Sequence, residues 1–314
     1  MGAEGETALT FTITSPGIYT DVPTADYFAD PTPSPSLTQS IAKVLIERSP
    51  AHAWIEHPRL NPKWEPADPT KYDIGNIAHA LLLGRGKALQ VIEGFDDWRK
   101  KDAQEAREIA QAEGKLGVLA KHYEIGREMA AAAGKQLAER GFEWDWADGD
   151  AEAVIVAEQS GLWYRAMVDW LAKDRRRVWD LKTTAASASP YSLDWRLVEQ
   201  GWDVQAAMHE RILDAIDPDN AGRREHLFVV QENFEPYALT VVRLPESVLT
   251  MGRKKLHYAI VLWSTCMAAN EWPAYPLETV LPSYPGAAET RWLSREVEES
   301  ERKPRPPINI LSAG

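Results

Sequence analysis

The sequence predicts a mixed α/β (α+β) fold, in which a central mixed sheet is flanked by helices and preceded by an N-terminal helical extension. Three observations carry that expectation. Short runs rich in Val, Trp and Tyr at residues 153–157, 162–171 and 177–182 are separated by turn-like Ser160-Gly161 and Lys173-Asp174, the pattern of an antiparallel meander. A long helix-forming stretch, residues 192–216, leads to two further strand-like runs at 225–232 and 238–244. Helical patterns lie on both sides of this block.

Taken in order, residues 1–70 read as a lead-in, partly irregular. Pro, Ser and Thr are frequent there, Pro31, Pro33 and Pro35 crowd together, and one helical stretch spans residues 37–47. Residues 71–280 read as the main domain. In residues 71–89, Ile74, Ile77, Ala78, Leu81 and Leu82 fall at helical spacing and give one apolar face. Residues 97–141 lack proline and are rich in Ala, Glu and Lys, which predicts two helices broken near Gly114–Gly117. After the strands, residues 245–270 predict a last long helix, with Pro245 tolerated in its first turn. Residues 281–314 carry charge runs without a core pattern and read as a tail, expected to be disordered.

Composition narrows the function classes. An apolar fraction of 44% over 314 residues supports a full-sized core. The single cysteine, Cys266, excludes an internal disulfide, a four-cysteine zinc site and an iron–sulfur cluster, and fits a reducing cytoplasm. No run of 18 apolar residues and no basic-then-apolar N-terminus is present, so no membrane association is expected. A net charge of -12 argues against nonspecific coating of nucleic acid, which depends on Lys and Arg neutralising phosphate. A metal-dependent nuclease escapes part of that objection, because its carboxylates hold a cation that reverses the local sign. Walker-type phosphate loops, G-x-S-x-G elbows and H-E-x-x-H helices are absent.

The chemistry concentrates in Val178-Trp179-Asp180-Leu181-Lys182. Strand alternation puts Asp180 and Lys182 on one face and Trp179 and Leu181 on the other. The preceding strand offers Asp169, which a hairpin would bring beside Asp180, and Glu158 closes the strand before that. Three converging carboxylates would suit magnesium, a hard cation that takes oxygen ligands. An Asp-x-Lys pair alone is more often a solvated charge pair on a strand face, so the order of motifs along the chain decides the reading.

That order is Gly75-x3-His79 on a helix, Glu158, Asp169, Asp180-Leu181-Lys182-Thr183-Thr184, then Gln205 in a following helix. It resembles the RecE-type (exonuclease VIII) branch of the PD-(D/E)XK nucleases, over roughly residues 72–275. The runs 74–83, 165–170, 179–184, 201–207 and 227–232 with Pro236-Tyr237 carry the likeness. The resemblance implies that Glu158, Asp169, Asp180 and the Leu181 carbonyl hold Mg2+, for which Mn2+ substitutes. Lys182 would then be the catalytic lysine, with His79 in or beside the metal site and Gln205 supporting Lys182 or the substrate. Glu152 is the alternative to Glu158. Arg165 is expected to touch DNA, while Thr183 and Thr184 either hydrogen-bond phosphate or end the strand.

The family further implies a 5′ to 3′ exonuclease on double-stranded DNA ends, a ring-like homo-oligomer, and delivery of single strands to an annealing protein in phage-type recombination. The competing readings are an endonuclease of the same superfamily and a non-catalytic DNA-binding or assembly protein on a nuclease-like fold. Basic groups at Arg99–Lys101, Arg175–Arg177, Arg223-Arg224 and Arg253–Lys255 are candidate grips on the DNA backbone, and Trp54, Trp64 and Trp163 are candidates to stack on unpaired bases.

Overall fold

The computed structural model describes residues 10–66, 73–85, 88–142 and 148–301. The chain divides into two compact units, Met1–Ala274 and Tyr275–Gly314. In chain order the first contains β1 (Gly17–Tyr19), α1 (Thr24–Ala29), β2 (Ser36–Leu37), α2 (Gln39–Glu47), α3 (Pro50–Glu56), α4 (Asp73–Leu83), β3 (Leu89–Ile92), α5 (Lys101–Ala112), β4 (Leu116–Leu119) and α6 (Ala120–Ala138). Then follow β5 (Gly149–Gln159), β6 (Leu162–Ala172), β7 (Arg177–Thr184), α7 (Leu193–Gln200), α8 (Trp202–Ile216), β8 (Glu225–Glu232), β9 (Leu239–Arg243) and α9 (Glu246–Ala269). In the second unit the described residues include α10 (Gly286–Glu301).

Seven strands form the main sheet in the order β1-β5-β6-β7-β8-β9, with β2 added alongside β6. The β5-β6-β7 meander is antiparallel, as its turn signals predict. Ser160 and Gly161 take φ of 55° and 81°, the two left-handed residues that a tight hairpin turn matching strand twist requires. The α7–α8 crossover then returns the chain so that β8 runs parallel to β7. The mixed sheet flanked by helices is therefore as expected.

Each face of the sheet buries a different helical layer. Ala153, Ile155 and Ala157 of β5 pack in a cluster with residues of α2, α8 and α9. On the other face Trp170, Trp179 and Leu227 pack with Ala133 and Leu137 of α6 and Leu83 of α4. Gly252 permits the closest helix contact, since a Cβ there would overlap the Asp203 carbonyl across the α8–α9 seam.

Three expectations need correction, and the lead-in takes a definite form. Its described part, residues 10–66, joins the core: β1 pairs with β5, β2 pairs with β6, and Leu37, Ile41, Leu45 and Ala53 are buried in the α8–α9 cluster. Thr38 and Ser49 cap α2 and α3, which is why this Pro- and Ser-rich stretch still folds locally. The single helix expected over 192–216 is two, since Gly201 (φ 70°) ends α7 in the left-handed region. The break near Gly114 is a strand: β4 pairs in parallel with β3 across α5. Residues 286–301 of the expected tail form α10, and residues 302–314 lie outside the described residues. Among the described residues no helix is long and apolar enough to cross a membrane.

Candidate active site

β6 and β7 pair only at Trp170–Trp179 and Leu171–Val178, and β2 takes up the far end of β6 at Trp163 and Tyr164. The two strands part beyond Trp179, and the polar residues gather at that fork. Asp169 bridges the gap by accepting the Leu181 backbone N–H at 2.7 Å, replacing the ladder bond that the divergence removes.

The hairpin register fixes what lies opposite Asp169. Ala153 pairs with Val168 and Ala151 with Trp170, so Glu152 faces Asp169 across the two strands. Glu152 has φ 51°, a conformation costing a non-glycine residue roughly 1–2 kcal/mol. Both strands change face there: Ala153 and Val168 belong to the α8–α9 side, Ala151 and Trp170 to the α4–α6 side. A local distortion of this kind re-aims side chains beside a site.

Helix α4 brings His79 to the same place. Gly75 lets the helix approach β7, since a Cβ there would lie 2.7 Å from Thr183 Oγ1. One turn on, His79 Nε2 sits 3.3 Å from Asp169 Oδ1, with Nδ1 4.0 Å from Glu152 Oε1. On the other side of the fork, Asp180, Lys182 and Gln205 of α8 form a closed triangle. Lys182 Nζ lies 2.7 Å from Asp180 Oδ1 and donates to Gln205 Oε1 at 3.1 Å, while Gln205 Nε2 donates to Asp180 Oδ2. Lys182 also stands over the Phe228 ring at 5.9 Å. Trp179 and Leu181 point to the α4–α6 side, as alternation predicts.

The electrostatics divide the carboxylates. Burial pushes Asp180 up to about 6, against the pull of Lys182 and with the repulsion of Asp169 adding to it. Burial also acts against charge on Asp169, but the His79 hydrogen bond and charge outweigh it and hold its pKa below the usual range. His79 and Lys182 are both raised: burial opposes their charge, and Asp169 for the one and Asp180 for the other prevail. Lys182 therefore remains an ammonium at neutral pH.

Among the described residues, no three His, Cys, Asp or Glu side chains are gathered tightly enough to enclose an ion. The carboxylates are held by His79 and Lys182 instead. Magnesium does not need an enclosing cage, because it keeps several waters and takes one or two carboxylates together with substrate phosphate. The donor set at the fork fits that demand: Asp169 and Asp180 offer hard oxygens, and the buried Asp180 Oδ1 has an ion contact but no well-directed hydrogen bond. His79 would have to shed its proton to ligate.

The fork thus brings together His79, Asp169, Asp180, Leu181, Lys182 and Gln205, and leaves out two residues expected there. Glu158 is six residues along β5 from Glu152, about 20 Å away at strand rise. It closes the hairpin turn, accepting the Gly161 N–H at 2.5 Å, so the carboxylate facing Asp169 is Glu152. Arg165 is 3% exposed and cannot reach DNA. Its guanidinium pairs with the buried Asp30 at 2.9 Å and donates to Ser36 Oγ and the Tyr27 carbonyl, pinning the N-terminal segment to β6. Thr183 is exposed beside Gly75, whereas the Thr184 hydroxyl accepts the Ala186 N–H and helps end the strand.

All four basic groups have members engaged internally: Arg99 pairs with Asp97, Arg177 with Glu225, Arg224 with Asp214 and Asp217, and Arg253 with Glu210 and Glu246. Trp54, Trp64 and Trp163 are all half-buried.

The geometry can be set beside known proteins. Residues 38–279 match the family described as a PDDEXK-like domain of unknown function (DUF3799). No curated protein matches the sequence. Among solved structures, a candidate exonuclease from Eubacterium rectale is similar over 89% of this chain and 94% of its own, at 13% identity and a TM-score of 0.51. An alkaline exonuclease from Laribacter hongkongensis is matched over 71% of this chain and 93% of its own, at 14% identity and a TM-score of only 0.23. The family match spans most of the chain, and the β6–β7 fork with its Asp169, Asp180 and Lys182 lies inside it: this chain belongs to the PDDEXK-like domain family and has the nuclease-like fold which that name describes.

Proposed function

We propose that this protein is a metal-dependent exodeoxyribonuclease of the RecE-like kind, acting 5′ to 3′ on duplex DNA ends with Mg2+ or Mn2+. The observation that carries the reading is the Asp180–Lys182–Gln205 triangle set across the sheet fork from Asp169. Asp169, Asp180 and the Leu181 carbonyl would hold the cation, with Glu152 and His79 at its border. When bound, the metal would polarise the phosphoryl oxygen and lower the pKa of an attacking water.

The chain's own residues supply the rest. Because Lys182 stays protonated, its part is to orient the water and offset the negative charge that builds on the phosphoryl oxygens, not to remove a proton. Gln205 binds both Asp180 and Lys182 and so fixes their spacing. The single strands left behind would pass to an annealing protein in phage-type recombination, and a ring of subunits would retain the DNA between turnovers.

End-labelled linear, nicked and covalently closed circular duplexes, incubated with and without magnesium, test the reading. Linear duplex is expected to be consumed from its 5′ ends only when magnesium is present, and closed circles are expected to survive. Equal loss of linear and circular DNA would instead mark an endonuclease.

A further inference from the structure

Most large aromatic side chains of the first unit are buried or half-buried, but Tyr191 is 96% and Trp195 78% exposed. The two stand one helical turn apart, Tyr191 in a 3-10 turn at residues 190–192 and Trp195 in α7. Each is reached directly from the catalytic strand: β7 ends at Thr184, seven residues before Tyr191.

The segment between them is tied down. Ala188 N–H donates to Glu232 Oε1 at 2.8 Å, and the Ala188 carbonyl accepts the Thr240 hydroxyl at 2.7 Å. Ser192 Oγ donates to the Ser187 carbonyl at 2.9 Å, and Arg196 donates to the same oxygen at 3.2 Å. Leu193 is the buried anchor of α7, in one cluster with Trp202 and Phe228. Phe228 is the ring over which Lys182 stands, so a single apolar cluster supports both the proposed catalytic lysine and the base of this projecting turn.

We infer that Tyr191 and Trp195 form a stacking ledge for unpaired bases of the DNA strand beside the cleft, an inference that rests on the nuclease reading above. Base–aromatic stacking is tolerant of sequence, because every base has a π face, and it suits an enzyme that must hold a strand of any composition. The backbone that carries the two rings is tied down before binding, so the ordering cost is confined to the rings themselves. A protein partner is the less fitting occupant. The exposed apolar face of an eight-residue helix covers too little area for a stable interface, which buries about 1,200–2,000 Å² in total. One or two bases would cover it completely.

The test uses the full chain in EDTA, so that binding is read without cleavage. Fluorescence anisotropy with a labelled single-stranded oligonucleotide is expected to show Kd rising roughly tenfold or more for Trp195→Ala with Tyr191→Ala, and recovering in Trp195→Phe. An oligonucleotide with abasic sites is expected to bind wild type and variant alike. Equal Kd values for the normal oligonucleotide would overturn the inference, as would a drop in oligomeric mass of the variant by light scattering, which would make the ledge a contact between copies. Cleavage of linear duplex with manganese is scored separately. Base-dependent binding through the ledge without any cleavage would sink the nuclease reading and leave the ledge standing.

Discussion

Alanine at Asp180 or Lys182 is expected to abolish hydrolysis of linear duplex DNA while the protein stays folded. The expected loss is at least roughly a thousandfold in turnover, because each group acts on charge that develops only in the transition state. Asp180 would hold the cation and Lys182 the water, so the double variant should be no worse than the poorer single one. Removing Asp180 relieves a carboxylate that burial disfavours but leaves the Lys182 ammonium without its ion partner, so the melting temperature of Asp180→Ala should fall modestly, and far-UV circular dichroism checks that the variant remains folded. Gln205→Ala should cost less, about 10–100-fold, because it only positions the other two. Wild-type rates for either alanine variant on linear duplex would remove the fork from the chemistry.

Much of this site was legible in the sequence because strand geometry is simple. A period of two puts Asp180 and Lys182 together on the α8 side whatever the rest of the fold does. The Glu152 facing was legible too: a two-residue turn at Ser160-Gly161 pairs Gln159 with Leu162, and counting outward from there brings Glu152 opposite Asp169. The expectation of Glu158 followed motif order instead of register, and the turn places Glu158 at the wrong end of the strand.

Arg165 misled for a different reason. Its role depends on Asp30, which is 135 positions away and fully buried, and local pattern carries no trace of so distant a partner. The same holds for β1 and β2, two short strands whose pairing is decided by the sheet edge they meet. The β3–β4 pair escaped notice because four-residue strands among helices carry too little periodicity to be distinguished from a helix break.

A steep loss of stability in acid is the second large effect expected. His209 and His226 are fully buried neighbours, their ring centroids 6.2 Å apart. Burial lowers His209 to about 4 and His226 to about 3, and the lone His57, lodged beside Asp30, is lowered to about 4 by the same cause. All three folded-state values lie below the unfolded value of 6.5, so the unfolded chain takes up protons first as pH falls.

The stability these neutral rings confer is complete above about pH 6.5 and drains away between there and pH 3–4, by several kcal/mol at about 1.4 kcal/mol for each unit of pKa shift. Asp180, shifted upward, offsets part of this by binding its proton more readily when folded. Tryptophan fluorescence followed from pH 7 to pH 3 should therefore show cooperative unfolding, and His209→Gln with His226→Gln should move its midpoint to lower pH. An unchanged midpoint would mean that other groups set acid stability.

The central claim, that the fork between β6 and β7 is a cation-dependent site, is tested most directly by manganese binding in calorimetry and thermal unfolding at pH 7.5. The wild-type protein is expected to bind and to melt a few degrees higher, since a cation held only by the folded state adds about 2.7 kcal/mol at a hundredfold excess over Kd. Affinity should weaken as pH falls through about 6, where the Asp180 proton competes with the ion. Asp180→Asn and Asp169→Asn should lose the shift, Glu152→Gln should reduce it, and Glu158→Gln should leave it intact. Manganese stabilisation that persists in both Asp180→Asn and Asp169→Asn, or that vanishes in Glu158→Gln, would contradict the account.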